Sequence, residues 1–132
     1  MFVPRTGRGN YFQLYESVDI ILDPVPYVGH TTTMDALWMG VPVVTLVGET
    51  CVSRGGAALL AQIGLPELIA RDAASYRAAA EGLASDRGRL EELHRTLRDR
   101  MMKSFLCDAV GFTRDFEEAY RSMWRTWCER RR

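Results

Sequence analysis

Asp23-Pro-Val-Pro-Tyr-Val-Gly-His-Thr-Thr-Thr-Met-Asp-Ala-Leu-Trp-Met-Gly-Val-Pro-Val-Val-Thr45 is the most informative segment of this chain, because a loop, a helix and a strand follow one another within it. The apolar run at 18–22 predicts a buried strand that leads into the Pro/Gly loop. Residues 32–39 have the pattern of an amphipathic helix, and Gly40 supplies its C-terminal stop. The apolar run at 42–46 is typical of a strand that is covered on both faces.

The alternation of strands and helices continues on both sides of this segment. Further strands are predicted at 2–4 and 67–70, and further helices at 10–17, 52–63, 75–84, 87–102 and 112–127. This order predicts an α/β fold with βαβ units, a parallel sheet and right-handed crossovers, followed by C-terminal helices. Because such a sheet normally has more strands beyond its first, we expect residues 1–132 to be the C-terminal part of a larger α/β domain.

The composition narrows the class of protein. A chain of 132 residues with 47% hydrophobic residues is long enough for one domain with a buried core. The formal net charge of zero gives no bulk attraction to nucleic acid or to an anionic membrane. No apolar run approaches the roughly 20 residues that span a bilayer. The three cysteines form no CxxC pair, so we expect neither a disulfide framework nor a metal site, and a cytoplasmic location.

The loop before the central helix has the features of a phosphate site. It ends in His30, Thr31 and Thr32, where free backbone N–H groups, hydroxyls and the positive end of a helix dipole meet. Asp35, expected in the first helical turn, is placed to accept hydrogen bonds from hydroxyls of the same ligand. The loop also follows a parallel strand, where open α/β sheets bind ligands. These features predict a nucleotide site, but Thr32 and Asp35 also have the spacing of a capping box.

Other residues allow more than one interpretation. Thr50 is a good N-cap, so the loop around it is either a simple turn or part of the ligand site. Arg54 either pairs with a buried carboxylate or reaches a phosphate. Thr6, Arg8 and Tyr11 follow the first predicted strand, where a base or phosphate could be held.

The sequence also predicts which faces are buried. Met34, Leu37 and Trp38 are expected to face the core. The charged helix at 87–100, including His94, is expected to present a solvated face. Aromatic residues recur at helical spacing in the last helix, where we expect them to pack against the core or against the rest of a longer protein: Phe112, Phe116, Tyr120, Met123, Trp124 and Trp127.

Several motifs together resemble a known family. They are Asp23-Pro-x-Pro-Tyr-x-Gly-x-Thr-Thr-x-x-Asp-x-Leu-Trp-x-Gly-x-Pro-Val-Val-Thr45, Gly48-Glu-Thr-x-x-Ser-Arg54, Gly64-Leu-Pro-Glu-Leu-Ile-Ala70 and the later stretch from Phe112 to Trp124. The chain resembles the C-terminal catalytic region of the protein O-GlcNAc transferases, including their SPINDLY-like relatives that carry TPR repeats. The resemblance implies a GT-B glycosyltransferase, with two Rossmann-like domains facing a cleft and the C-terminal one holding the UDP-sugar.

The resemblance also implies an activity and a set of contacts. The family transfers N-acetylglucosamine from UDP-GlcNAc to serine or threonine hydroxyls of proteins, with inversion and without a metal or other cofactor. A helix N-terminus can stabilise the departing diphosphate where other enzymes use a cation. Carried over by position, the diphosphate contacts are His30, Thr31 and Thr32, and Asp35 contacts the ribose. The residues around the uracil are Thr6, Arg8 and Tyr11, although the family usually has a histidine where Tyr11 stands.

The resemblance assigns no catalytic residue within this chain. The regions that supply the acceptor side and the phosphate-contacting lysine lie upstream in the family, so we expect the 132 residues to bind the donor and to be inactive alone. The expected partners are a nucleotide-sugar and, through the missing regions, an acceptor protein; a homodimer through an exposed sheet edge is a further expectation. Two alternatives are a GT-B enzyme with another donor, such as GDP-fucose, and a non-catalytic α/β interaction module.

Overall fold

The structure of the chain, a computed structural model, describes residues 7–131, with the backbone alone for residues 8 and 9. Within this range a three-stranded sheet is packed among helices. The strands are β1 (Ile21–Leu22), β2 (Val43–Leu46) and β3 (Ile69–Ala70). The helices are α1 (Arg8–Leu14), α2 (Thr31–Trp38), α3 (Gly55–Gln62), α4 (Ala73–Ser85), α5 (Arg87–Met102) and α6 (Ala109–Glu129). Short 3₁₀ turns cover Tyr15–Ser17, Cys51–Ser53, Pro66–Leu68 and Phe105–Cys107.

The sheet is parallel and has the order β1-β2-β3. Ile21 pairs with Val43, and Thr45 pairs with Ile69. The connections between these strands contain α2 and α3, so the predicted βαβ alternation and the α/β fold class are confirmed. The strand predicted at 2–4 lies outside the described residues.

The core lies on both faces of β2, which is the central strand. Val43 and Val44 point to opposite faces, and both are completely buried. Helix α5 contributes Leu93, Leu97 and Met101, which are four residues apart and therefore share one helix face. The other core side chains come mainly from the segments around β2 and β3: Ala36, Leu37, Val41, Leu60, Ile63, Leu65, Leu68 and Leu83.

Two predicted strands are shorter than expected. The run at 18–22 is a strand only at Ile21–Leu22, and it is not buried as predicted, since Leu22 is 53% exposed. The strand predicted at 67–70 begins at Ile69, since a 3₁₀ turn that starts with Pro66 occupies the residues before it.

The buried face of α2 differs from the prediction. Leu37 is buried as expected, but Met34 and Trp38 are 36% and 39% exposed. Trp38 is covered instead by Arg98 of α5, whose guanidinium carbon lies 5.1 Å from the centroid of the ring. The Nε of Arg98 also donates to the Trp38 carbonyl at 2.8 Å. Trp38 therefore links α2 to α5 at the surface rather than inside the core.

Helix α5 is less solvated than its charge pattern suggested. Nε2 of His94 lies 3.1 Å from the carbonyl oxygen of Asp19, so this ring contacts the segment before β1. Arg89 bridges Glu92 on its own helix and Glu67 near β3. The predicted charge pairs are present, but the face is not solvated throughout, because Arg89 and His94 tie α5 to the rest of the fold.

Helix α6 carries the aromatic residues, and the first predicted position for them, against the core, is wrong within the described part of the chain; the alternative, packing against the rest of a longer protein, stays a prediction. Phe116 is 51% exposed and Trp124 is 63% exposed. Gly111 is the buried residue of the helix, and the 3₁₀ turn Phe105–Cys107 is its main contact with the domain. The rings contact each other instead, as in the stacked pair Trp124 and Trp127, whose centroids are 5.0 Å apart. No helix between residues 7 and 131 is both long enough and apolar enough to cross a membrane.

Candidate functional site

The N-terminus of α2 is open. The helix begins at Thr31, and its first backbone bond runs from the Met34 amide to the His30 carbonyl at 3.0 Å. The amides before Met34 therefore have no preceding turn to bond to, and no side chain of the described residues caps them. Thr31 and Thr32 are exposed, so hydroxyls and the positive end of the helix dipole face the same solvent-accessible space.

The alternative explanation, a capping box, is contradicted by the position of its two residues. Thr32 lies inside the helix, and the N-cap position belongs to His30. Asp35 is in the second turn rather than the first, and its carboxylate is bonded to Tyr11 instead of the helix start. The Thr32 and Asp35 spacing therefore does not form a capping box in the structure.

Asp35 belongs to a small polar cluster with two tyrosines. The Tyr11 hydroxyl donates to Oδ2 of Asp35 at 3.0 Å and lies 2.6 Å from the Tyr15 hydroxyl. The Tyr15 hydroxyl also lies 3.4 Å from the carbonyl of Thr32, at the start of α2. Burial raises the pKa of Tyr11, and its hydrogen bonds with Tyr15 and Asp35 raise it further, so the neutral donor form is favoured. Burial likewise raises the pKa of Tyr15.

His30 joins the starts of α2 and α3. A Cβ placed on Gly55 would lie 2.1 Å from Nε2 of His30, so the imidazole rests directly on the first residue of α3. The ring remains exposed on its other side. A side chain at position 55 would occupy the space that the imidazole now fills.

Gly29 is needed for the close approach of the two threonines that follow the loop. A Cβ on this residue would lie 2.5 Å from Oγ1 of Thr33 and 2.7 Å from Oγ1 of Thr32. The Gly29 amide also donates to Oδ1 of Asp23 at 3.0 Å. The space that a side chain at this position would need is therefore occupied by the protein's own hydroxyls.

The loop after β2 is held by its own residues. Thr50 and Ser53 form a capping box around the 3₁₀ turn, so the predicted cap at Thr50 is confirmed. Arg54 donates from Nε to the Gly48 carbonyl at 3.2 Å and from Nη2 to the Glu49 carbonyl at 2.5 Å. The guanidinium therefore fastens this loop through backbone carbonyls rather than through a buried carboxylate.

Five of the predicted site residues belong to adjoining parts of the structure. His30, Thr31 and Thr32 form the start of α2, and Asp35 on the same helix is bonded to Tyr11 of α1. Thr6 lies outside the described residues, as does the side chain of Arg8. Between residues 7 and 131 no cluster of three or more His, Cys, Asp or Glu residues has the geometry of a metal site.

Sequence reasoning assigned no role to Asp23 or to the two glycines at the start of α3. Asp23 is 3% exposed, although it directly follows β1 and precedes a proline. Gly55 and Gly56 both approach polar side chains from the first loop more closely than a Cβ would permit. A carboxylate at the end of an apolar run and an unusual Gly-Gly pair at a helix start were the available signals.

The comparison with known proteins identifies the family. The model of glycosyl transferase family 41 matches residues 6–116, which include β1 to β3 and the whole candidate site. The chain belongs to glycosyl transferase family 41.

The relatives are proteins named as N-acetylglucosaminyltransferases. A probable UDP-N-acetylglucosamine--peptide N-acetylglucosaminyltransferase SPINDLY from Hordeum vulgare is 46% identical over 120 residues, which cover 91% of this chain and 13% of the relative. The UDP-N-acetylglucosamine--peptide N-acetylglucosaminyltransferase of Caenorhabditis elegans is 34% identical, over 81% of this chain and 9% of the relative. The family 41 chain thus spans about an eighth of the length of the SPINDLY relative.

A solved structure has the same fold. A mutant of the O-GlcNAc transferase of Thermobaculum terrenum superposes with a TM-score of 0.88 at 40% sequence identity, over 96% of this chain and 24% of the other. The superposition includes nearly all of this family 41 chain, and it confirms the predicted fold class and the predicted family.

Proposed function

We propose that this chain is the donor-binding part of a glycosyltransferase that moves N-acetylglucosamine from UDP-GlcNAc to serine or threonine hydroxyls of proteins. The observation that carries the proposal is the uncapped start of α2, where Thr31 and Thr32 are exposed beside His30. The names of the relatives support the donor and the peptide acceptor.

In this proposal each part of the site binds one part of the donor. The free amides at the start of α2, with His30, Thr31 and Thr32, bind the diphosphate and stabilise its charge as the sugar departs. Asp35 accepts hydrogen bonds from the ribose hydroxyls through Oδ1, because Tyr11 already holds its Oδ2. The proposed reaction inverts the anomeric centre and uses no metal, since helix amides take the place of a cation.

The acceptor side of the proposed reaction is supplied by other parts of a longer protein. The exposed aromatic face of α6 and a groove of about 690 Å³ at its start, lined by Phe105, Leu106 and Phe112 among others, are apolar surfaces that such parts would cover. We accordingly propose that the 132 residues bind donor but do not transfer sugar. Homodimerisation through a sheet edge and a cytoplasmic location stay predictions.

The test is an NMR titration of the isotope-labelled chain with UDP, and with GDP as the control nucleotide. The proposal expects shifts confined to the amides of residues 29–35 and to neighbours of Tyr11, with UDP preferred. Preference for GDP would contradict the donor, and no shift with either nucleotide in a folded sample would contradict the binding role.

A variant separates ligand binding from folding. Asp35→Ala is expected to weaken UDP binding by about tenfold, the equivalent of roughly 1.4 kcal/mol, while the fold is retained. Its matched control is Asp99→Ala, which removes an exposed carboxylate from α5. Equal UDP affinity in the Asp35→Ala variant and the wild type would remove the ribose contact from the proposal.

A further inference from the structure

Asp23 is a buried carboxylate at the end of β1, and it bonds to the first loop. Oδ1 accepts from the Gly29 amide at 3.0 Å and from the Thr33 hydroxyl at 3.4 Å. These two donors lie at either side of the residues that begin α2. A carboxylate that is 3% exposed needs such partners, because an isolated buried charge is very costly.

The second oxygen of the same carboxylate faces α3. Oδ2 of Asp23 and Oγ1 of Thr45 are both buried without a hydrogen-bond partner among the described residues. A Cβ on Gly56 would lie 2.4 Å from the first atom and 2.5 Å from the second. The backbone at the second residue of α3 therefore rests against the carboxylate.

The backbone of Asp23 is fixed as well. Its amide donates to the Val44 carbonyl at 2.9 Å, and its carbonyl accepts from the Tyr76 hydroxyl of α4 at 2.7 Å. The backbone from which the carboxylate projects is thus held in place by β2 and α4. The carboxylate in turn contacts both the start of α2 and the start of α3.

We propose that Asp23 is a positioning residue that sets the start of α2 relative to the start of α3 and so shapes the nucleotide phosphate site. His30 lies in the joint between the two helices, since its ring rests on Gly55, the residue before Gly56. The role in phosphate binding rests on the proposed function. The coupling of the two helix starts does not, because it follows from the contacts of Asp23 in the chain without a ligand.

The first test adds a methyl group next to the Asp23 carboxylate on the α3 side and measures the effect on the Gly29 amide before α2. Gly56→Ala places a methyl group against Oδ2 of Asp23, and the change should shift the Gly29 amide resonance and lower its protection from hydrogen exchange at least threefold. Gly82→Ala is the matched control, because a Cβ on this helical glycine meets no atom within 4 Å. A Gly29 amide that is unchanged in Gly56→Ala would overturn the coupling.

The second test removes the acceptors and then restores one. Asp23→Ala should abolish the protection of the Gly29 amide, and it should weaken UDP binding at least tenfold if the wild type binds UDP. Asp23→Asn keeps an oxygen for Gly29 and Thr33, so it should return the protection and bring UDP affinity within about threefold of wild type. Failure of Asn to rescue either quantity would overturn the positioning role.

A stability control excludes a general loss of structure. Leu83→Ala removes a buried side chain of α4, away from the start of α2, and should lower Tm without changing UDP affinity. If Leu83→Ala weakens UDP binding as much as Asp23→Ala does, the positioning role is overturned.

A wild-type chain that does not bind UDP overturns the proposed function alone, and the Gly29 exchange measurements then decide the coupling. If Asp23→Ala does not fold, Gly56→Ala and Asp23→Asn decide it.

Discussion

The hydroxyl of Tyr11 donates a hydrogen bond of 3.0 Å to Oδ2 of Asp35, and this bond joins α1 to α2 beside the open start of α2. It leaves Oδ1 of the carboxylate for another donor. The Tyr15 hydroxyl stands 2.6 Å from that of Tyr11 and can donate to it, since Tyr11 uses its own hydrogen on Asp35. The cluster therefore fixes the orientation of the Asp35 carboxylate in the second turn of α2.

The Tyr11 cluster predicts a loss of stability at alkaline pH. The pKa of Tyr11 is raised above its ordinary value of 10.0 by burial first and then by its hydrogen bonds. Above about pH 10 the unfolded chain releases this proton while the folded chain keeps it. The free energy of unfolding should therefore fall as pH rises above 10, by at most about 1.4 kcal/mol per pH unit from this group.

Urea unfolding between about pH 8 and pH 11 measures this effect, with Tyr11→Phe as the comparison. The variant should lose stability less steeply over the alkaline part of the range, because it lacks the group that the fold keeps protonated. Below about pH 9 it should be less stable than wild type by about 1.5–3 kcal/mol, the usual contribution of a hydrogen bond to a charged group. Parallel pH profiles for the two proteins would contradict the assignment.

The two glycines with positive φ predict unequal losses of stability. Gly40 and Gly64 have φ values of 86° and 72°, so alanine is strained at either site by about 1–2 kcal/mol. A Cβ on Gly40 would also lie 2.7 Å from the backbone carbonyl of His94, whereas a Cβ on Gly64 meets nothing within 4 Å. Gly40→Ala should therefore be the more destabilising change, by a further 1–3 kcal/mol or so. Thermal unfolding of both variants measures the difference, and a larger loss for Gly64→Ala would show that the α2–α5 contact is not tight.

Local sequence patterns predicted the elements that are specified by the residues of a single helix or strand. The bounds of α5 were predicted at 87–102 and observed at Arg87–Met102, because Leu93, Leu97 and Met101 repeat at a helical period. The βαβ order followed from the apolar runs and their glycine stops. Free amides at the start of α2 were also predicted, because the first turn of a helix has no preceding turn to bond to, with a capping box as the alternative.

Contacts between distant segments were not predictable in the same way. Trp38 occupies an apolar position in the helical pattern of α2, yet it lies at the surface. Its ring packs there against Arg98, 60 residues later in the chain. The burial of Asp23 depends on four separate segments that meet around it, and no local pattern encodes that meeting. The family resemblance supplied roles for His30 and Asp35, but the contact of His30 with Gly55 required the fold.

Helix α6 should exchange its amide hydrogens much faster than α5. The buried face of α5 includes Leu93 and Leu97, which are completely buried, whereas the large apolar residues of α6 are about half exposed or more. A helix without tertiary packing is marginal in water. Hydrogen exchange at low protein concentration should therefore show protection factors in α6 at least 100-fold below those in α5.

The concentration dependence of that exchange distinguishes two explanations if α6 is protected. Phe116→Glu places a charge on the apolar face, while Glu118→Gln alters an exposed polar position on the same helix as a control. Protection that rises with concentration and is lost only in Phe116→Glu would mean that copies of the chain cover this face. Protection equal to α5 at every concentration would contradict the exposed position of α6.

The contact between His30 and Gly55 gives a prediction that can be checked by a double-mutant cycle. Gly55→Ala places a methyl group where Nε2 of His30 now lies, at 2.1 Å, so the imidazole must rotate away from α3. The exposed ring can move at little cost, and the chain should keep its stability within about 1 kcal/mol.

If the imidazole contacts the diphosphate from its present position, Gly55→Ala and His30→Ala should each weaken UDP binding by roughly 5–30-fold, or about 1–2 kcal/mol. The double variant should then be no weaker than either single one, because both changes remove the same contact. Isothermal titration calorimetry with UDP measures all four proteins, and fully additive losses would show that Gly55 and His30 act on the nucleotide independently.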